Sequence, residues 1–368
     1  MIGDYADILT INGKIMENKE ILIEKIKELK NKLNGKVVIP AHHYQRNEIV
    51  GLSDFVGDSY KLAKESSNTK SDYIVFCGVR FMAESAKILA SPNQKVLIPN
   101  IMAGCPMADM IDLNTANNIF KIMQNQCNNQ IAPVVYMNSY ADMKSFCGEK
   151  GGSVCTSSNA KKIIEYYFSE GKSIFFFPDF HLGKNIANSL GIPEKQIVKV
   201  KKDGSLISEG DIKEAKIFLY DGFCHVHQTF TEGDIMTLLR KKNSDYNIIV
   251  HPECSENIVK LADSYGSTEQ IYKTIKEAPK GSMWAVGTEY NFINRMAEDF
   301  KDKVIIPLRV SPCMNMEKIT LENLHESLLS IFDFENGKGN LKYEITVDKE
   351  YIEKSKTALK KMIEIVEK

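Results

Sequence analysis

Apolar residues in this chain come in short β-type runs that end in polar turns, with amphipathic helical stretches between them. Residues 18–34 set Ile21, Ile23, Ile26 and Leu29 near one face among charged neighbours, which predicts a helix stopped at Gly35. KVVIPAHHY then reads as a buried strand running into a turn, and Ser53–Lys64 as a helix with Ser53 and Asp54 as caps. The strand and turn DYIVFCGVRF (72–81), the helix AESAKILA (83–90) and the strand KVLIPN (95–100) complete a first pass.

The same order then returns twice. APVVYMNSY (132–140), a helix over 156–171, SIFFFPDFHLG (173–183), a helix over 184–190 and the strand KIFLYDG (216–222) make a second pass, with 198–208 as an inserted hairpin. YNIIVHPEC (246–254), helix in ENIVKLA and STEQIYKTIKEA, SMWAVGTEYNF (282–292), INRMAEDF (293–300) and KVIIPLRV (303–310) make a third. A cysteine follows the last strand of each pass: Cys105, Cys224 and Cys313. His42 precedes Cys105 by 63 residues and His251 precedes Cys313 by 62, while Asn138 precedes Cys224 by 86 because of the hairpin. The pattern is an internal threefold repeat. It predicts an α/β fold of three homologous βαβ-type, three-layer (αβα) domains about a pseudo-threefold axis. The expected boundaries are 1–112, 113–225 and 226–320, with 321–368 packed on the first domain. Ligands of parallel sheets sit beyond the strands' carboxyl ends, so the turns are expected to line one central cavity.

Composition narrows the chemistry. A net charge of −1 gives no general attraction to nucleic acid or to an anionic membrane, so neither is expected as a partner. The acidic opening MIGDYADILT lacks the order of a signal peptide, and no apolar run nears the ~18 residues of a membrane span. A cytoplasmic location is expected. Eight cysteines in a chain expected in the cytoplasm are not read as a disulfide framework, and the lack of any CxxC pair argues against a zinc ribbon or a thioredoxin-type site. Cys77, Cys127, Cys147 and Cys155 read as core or incidental; Cys254, on the HPEC turn, is less settled.

Three cysteines in register are candidate metal ligands. An all-thiolate set favours an iron–sulfur cluster over zinc, and three ligands on a cubane leave one iron open as a Lewis acid. The first-strand turns bring His42 and Tyr44, Tyr136 and Asn138, and His251 and Glu253, all proton carriers or hydrogen-bonding groups, and His227 lies three residues past Cys224. Asp179 and His181, and Thr288 and Glu289, fall in second-strand turns. Ser59, Thr156–Ser157–Ser158 and Ser267–Thr268 sit near helix starts, where they suit either an anion or plain capping. Arg80 and Arg309 follow strand runs and offer either charge or surface polarity. There is no GxxxxGK[ST] or GxGxxG loop to support nucleotide binding. On these residues alone, an iron–sulfur hydro-lyase, a redox carrier or sensor, and a zinc site remain open.

At AHHYQ, GDSY, GCPMADM, YMNSY, VCTSSNA, DGFCHVH, VHPEC, YGST and VGTE, from about Val37 to Leu324, the chain resembles the quinolinate synthase family. The resemblance implies a 4Fe–4S cluster held by Cys105, Cys224 and Cys313. It implies condensation of iminoaspartate with dihydroxyacetone phosphate to quinolinate, releasing phosphate and two waters, in de novo NAD biosynthesis, with L-aspartate oxidase as the upstream supplier. Catalytic positions fall on His42, Tyr44, His227, His251 and Glu253. Substrate-binding positions fall on His42, Ser59, Tyr136, Asn138, Thr156, Ser157, His251, Glu253, Ser267 and Thr268. One departure is visible: SPCMNM carries Cys313 alone where many relatives carry a CxxCxxC run.

Overall fold

The apolar runs become strands of parallel sheets, and each sheet holds one strand more than the pattern reveals. The computed structural model describes residues 3–240 and 245–368. In the first unit, β1 (Val37–Val38), β4 (Tyr73–Val75) and β5 (Lys95–Leu97) pair in parallel in the order β1-β4-β5, and β2 (Pro40–His42) pairs with β3 (Phe55–Gly57). The break between β1 and β2 falls at Ile39, whose N–H donates to Asp54 Oδ2 at 2.7 Å. Beyond it, His42 N–H donates to Cys77 O at 3.0 Å, so β2 continues the line of β1 beside the end of β4.

The second unit contains β6 (Ile131–Tyr136), β7 (Ser153–Cys155), β8 (Ser173–Phe177), β9 (Ile197–Val200), β10 (Leu206–Ile207) and β11 (Ile217–Tyr220), ordered β10-β9-β11-β8-β6-β7. Only β9 and β10 are antiparallel; they are the inserted hairpin, turned at Gly204 with φ +89°. In the third, β12 (Tyr246–Val250), β13 (Ser264–Tyr265), β14 (Met283–Gly287) and β15 (Val304–Pro307) are all parallel in the order β13-β12-β14-β15. Strands such as β8, SIFFF, are apolar throughout because every residue is buried.

The unexpected strands are β3, β7 and β13, each a short edge beside the unit's first long strand. They displace two expected helix starts. The helix after β3 is Ser59–Asn68, capped by Asp58, which accepts from Lys61 N–H. Ser53 and Asp54 do other work: Ser53 Oγ donates to Val50 O, and Asp54 holds the strand break. The helix after β7 is Ala160–Ser169, and a further helix, Ala141–Glu149, precedes β7.

Residues 321–368, expected against the first unit, divide. Helix Leu321–Glu335 packs on helix Gly3–Lys32, and Glu335 accepts from Tyr73 O–H at 2.6 Å. Residues 343–345 cover the free edge of β5 through Ile98 N–H to Tyr343 O and Ile345 N–H to Val96 O. The last helix, Lys349–Glu367, lies instead mainly on Ala141–Glu149, β7 and Ala160–Ser169 of the second unit. A Cβ on Gly148 would stand 1.9 Å from Lys354 O, so that approach requires glycine. No helix among the described residues is long and apolar enough to cross a membrane.

Candidate active site

Turns at the carboxyl ends of all three sheets meet at one cavity of roughly 700 Å³, counting space open to solvent. The first-strand turns contribute His42 and Tyr44, Tyr136 and Asn138, and His251 and Glu253. The edge strands contribute Ser59, Thr156 and Ser157, and Thr268, each at or just before the start of a helix. Ser267 does not line the cavity: its hydroxyl accepts from Gln270 N–H and its own N–H donates to Gln270 Oε1, a capping box. Among the described residues no lysine or arginine lines the cavity. Arg309 pairs with Asp234 and Arg80 with Glu84. An anion here meets helix N-termini, hydroxyls and imidazole N–H groups.

Cys105, Cys224 and Cys313 line the same cavity on loops built alike. In each, the first residue of the second-strand helix donates its N–H to the carbonyl two residues before the cysteine: Arg80 to Ala103 (2.8 Å), Phe180 to Gly222 (2.8 Å) and Tyr290 to Ser311 (3.1 Å). Each cysteine carbonyl accepts from the N–H four residues on, from Asp109, Gln228 and Glu317. A single turn of 3-10 helix follows in all three: Ala108–Met110, His227–Thr229 and Met316–Lys318.

Burial pushes the Cys105 thiol up to about 12 and Cys313 to about 11, against hydrogen bonds to the sulfurs from the backbone N–H groups of Ala108 and Met107, and of Met316 and Asn315. Burial, then Glu253, raises Cys224 well above the usual thiol range. Ligation must therefore displace protons that the apo protein retains.

The three sulfurs do not all lie within 4.8 Å of one another. Thiolates on one zinc ion, with Zn–S of about 2.3 Å, stand no more than ~4.6 Å apart. As they stand, the three thiols do not share one zinc ion. Of the other cysteines, Cys254 turns its sulfur away from the cavity to Gly287 O at 3.7 Å and is fully buried in the third unit's core. Cys77, Cys127, Cys147 and Cys155 are also buried.

A hydrogen-bonded line runs across the floor. Tyr44 Oη lies 3.0 Å from Thr288 Oγ1 and 3.4 Å from His227 Nε2; Thr288 Oγ1 lies 3.1 Å from His227 Nε2. His227 Nδ1 lies 3.0 Å from Glu253 Oε2, and Tyr136 O–H donates to Glu253 Oε1. Burial opposes charge on Glu253, but His227 and His251 beside it, with hydrogen bonds from His227 and Tyr136, hold its carboxyl down at about 2. The carboxylate can only accept, so His227 Nδ1 carries the proton and its Nε2 receives one from Thr288 or Tyr44. Burial, then Glu253, pushes both Tyr44 and Tyr136 well above the usual phenol range.

The other two histidines are fixed the opposite way. Tyr44 N–H donates to His42 Nδ1 at 3.2 Å, and Glu253 N–H to His251 Nδ1 at 3.3 Å. Each ring therefore presents Nε2–H. Burial lowers His42 well below its ordinary range and His251 to about 3, so both are neutral donors at pH 7.

A family described as quinolinate synthetase A protein matches residues 24–364. Two proteins named quinolinate synthase are each 42% identical to this chain. The one from Bacillus cereus (strain Q1) aligns over 354 residues, 95% of this chain and 94% of its own; the one from Geobacillus sp. (strain WCH70) aligns over 352, again 95% and 94%. The chain belongs to the quinolinate synthetase A protein family. Within this quinolinate synthetase scaffold, two cavity groups escaped sequence reasoning as site residues. Thr288, which joins Tyr44 to His227, was visible only as part of a second-strand turn. His225 lines the cavity.

Proposed function

We propose that this chain condenses iminoaspartate with dihydroxyacetone phosphate to quinolinate, releasing phosphate and two waters in de novo NAD biosynthesis. The observation that carries this reading is the meeting of three equivalent cysteine loops with a buried proton-transfer line in one cavity that no lysine or arginine among the described residues lines. The recurring sheet order, β3-β2 with β1-β4-β5, β7-β6-β8-β11 and β13-β12-β14-β15, supports three domains over 1–112, 113–225 and 226–320 about a pseudo-threefold axis.

Cys105, Cys224 and Cys313 would hold a 4Fe–4S cluster, which when bound supplies a Lewis acid at its open iron. Ser59, Thr156, Ser157 and Thr268, with the N–H groups at the starts of their helices, bind the phosphate until it leaves. His42 and His251, through Nε2–H, and Asn138, through its side-chain NH2, orient the dicarboxylate. Tyr44 moves protons for isomerisation through Thr288 to His227, and Glu253 with Tyr136 holds His227 in the receiving tautomer. Ser267 supports Thr268 by capping its helix. An L-aspartate oxidase is the proposed supplier of the imine.

The test is anaerobic purification with iron and sulfide analysis, then assay of quinolinate from the two substrates. About four irons per chain with no quinolinate formed would sink the assigned reaction while leaving the cluster in place.

A further inference from the structure

We infer that Asp179 and Glu289 are positioning residues for the metal cluster, two buried helix-cap carboxyl groups, one bridged to the Cys224 loop and one bonded to the Cys313 N–H, that fix two of the three ligand loops. The inference rests on the reading of those cysteines as cluster ligands.

The two carboxylates occupy equivalent places. Asp179 caps helix Phe180–Ser189 and Glu289 caps helix Tyr290–Asp299, each in the turn after a second strand. Capping uses one oxygen apiece: Asp179 Oδ1 accepts from Leu182 N–H at 2.7 Å, and Glu289 Oε2 from Phe292 N–H at 3.1 Å. Both side chains are fully buried, where a carboxyl group costs several kcal/mol unless its oxygens are matched by donors. A surface cap needs no such burial, so the second oxygen calls for its own explanation.

Glu289 supplies it. Its Oε1 accepts from Cys313 N–H at 3.2 Å and from Asn291 Nδ2 at 3.2 Å. On Asp179, Oδ2 has no hydrogen-bond partner, and burial pushes the group well above the usual carboxylate range against the opposing backbone N–H groups of Leu182, Cys224 and His181. The chain bridge Asp179–Gly222 brings the two loops side by side.

In the first unit the equivalent cap is Val79, which offers no side-chain acceptor. The carbonyl clamp two residues before each cysteine is common to all three loops; the carboxylate is added at only two. Its chemical effect is specific. A cysteine N–H held by a carboxylate is kept from the cluster's sulfur atoms, and hydrogen bonds to those sulfurs set the reduction potential. Groups of this kind fix ligand orientation, and losing one weakens metal binding by about 10- to 100-fold.

Asp179→Ala, Glu289→Ala, Asp179→Asn and Glu289→Gln are reconstituted anaerobically beside the parent, with Asp112→Ala as the loss of an exposed cap. Measured are iron and sulfide per chain, the rate of iron loss to a chelator, the electron paramagnetic resonance signal and midpoint potential of the reduced cluster, and circular dichroism. The alanine variants should stay folded and lose iron about 10- to 100-fold faster than the parent. The amide variants, which keep an acceptor oxygen, should load fully and hold iron with the parent's signal and potential, and Asp112→Ala should match the parent. Folded alanine variants that hold iron as the parent does overturn the clamp. If an alanine variant does not fold, Asp179→Leu or Glu289→Met, which fills the space without an acceptor, takes its place, and iron loss at the parent's rate with an unchanged potential overturns the clamp. A parent that takes up no iron overturns the cluster reading itself, and the clamp with it.

Discussion

Glu253→Gln separates the proton-transfer line from the metal site. The carboxylate is 2% exposed and accepts from two donors, Tyr136 O–H on Oε1 and His227 Nδ1–H on Oε2. Glutamine keeps one acceptor oxygen and turns an amide NH2 toward the other donor. The lowest-cost adjustment moves the His227 proton to Nε2, so that Nδ1 accepts from the amide and Nε2–H donates to Thr288. Every hydrogen bond but the charge-assisted pair survives, so the loss of stability is about 1–3 kcal/mol. In a chain of this size that is a fall of a few degrees in melting temperature. Catalysis suffers more, because Nε2 can no longer receive the proton from Tyr44 through Thr288. Loss of general-base function and the wrong imidazole tautomer together cost ~10²–10⁴ in kcat. The assay is quinolinate formation under anaerobic conditions, with iron and sulfide measured on the same sample. A kcat within about threefold of the parent would refute the relay. Loss of iron would refute the separation of sites and point to metal held by Cys224, His227 and Glu253, whose ligand atoms lie within 4.8 Å of one another.

Acid should destabilise the protein earlier than carboxylate titration alone would. His251, lowered to about 3 by burial, stays neutral in the folded chain while the unfolded chain takes up a proton near pH 6.5. Stability is thus complete above that pH and falls by up to ~1.4 kcal/mol per unit below it until the folded value is passed; melting temperatures flat from pH 7 to 5 would contradict this. Lys144→Met removes the buried ammonium that donates to the carbonyls of Met137 and Ser139 on either side of Asn138. Each stranded carbonyl costs about 1–3 kcal/mol, and KM should rise with the turn loosened; unchanged KM and melting temperature would show that the lysine does not hold it. Gly148→Ala drives a methyl group into the backbone of the last helix and should cost about 1–3 kcal/mol or more, read as a lower midpoint in denaturant.

Long strands and cysteine positions were legible because they repeat. A run such as SIFFF needs only burial on both faces to be recognised, and Cys105, Cys224 and Cys313 each follow the last strand of a repeat. The edge strands were not. β3, β7 and β13 are two or three residues long and too short to show any period, so β3 was absorbed into an expected helix. Helix Ala141–Glu149 escaped because it is buried on most sides, Lys144 included, and has no polar face to contrast with an apolar one. Ser267 and Thr268 are neighbours with the same chemistry, and only the backbone direction decides that one caps while the other faces the cavity. The docking of the last helix depends on a gap at Gly148 that no local pattern announces.

That docking has a consequence for how the protein is made. Ser355 Oγ donates to Ala141 O across 214 positions of sequence. At ~5–20 residues per second, Ala141 emerges from the ribosome roughly 10–40 s before Ser355 does. Through that interval the apolar faces of Ala141–Glu149 and Ala160–Ser169 stay uncovered on the nascent chain, during synthesis of the third cysteine loop. Completion of the second core thus waits on a helix 214 positions downstream of the carbonyl it meets, so a chain cut short before that helix leaves an apolar face open and prone to aggregate.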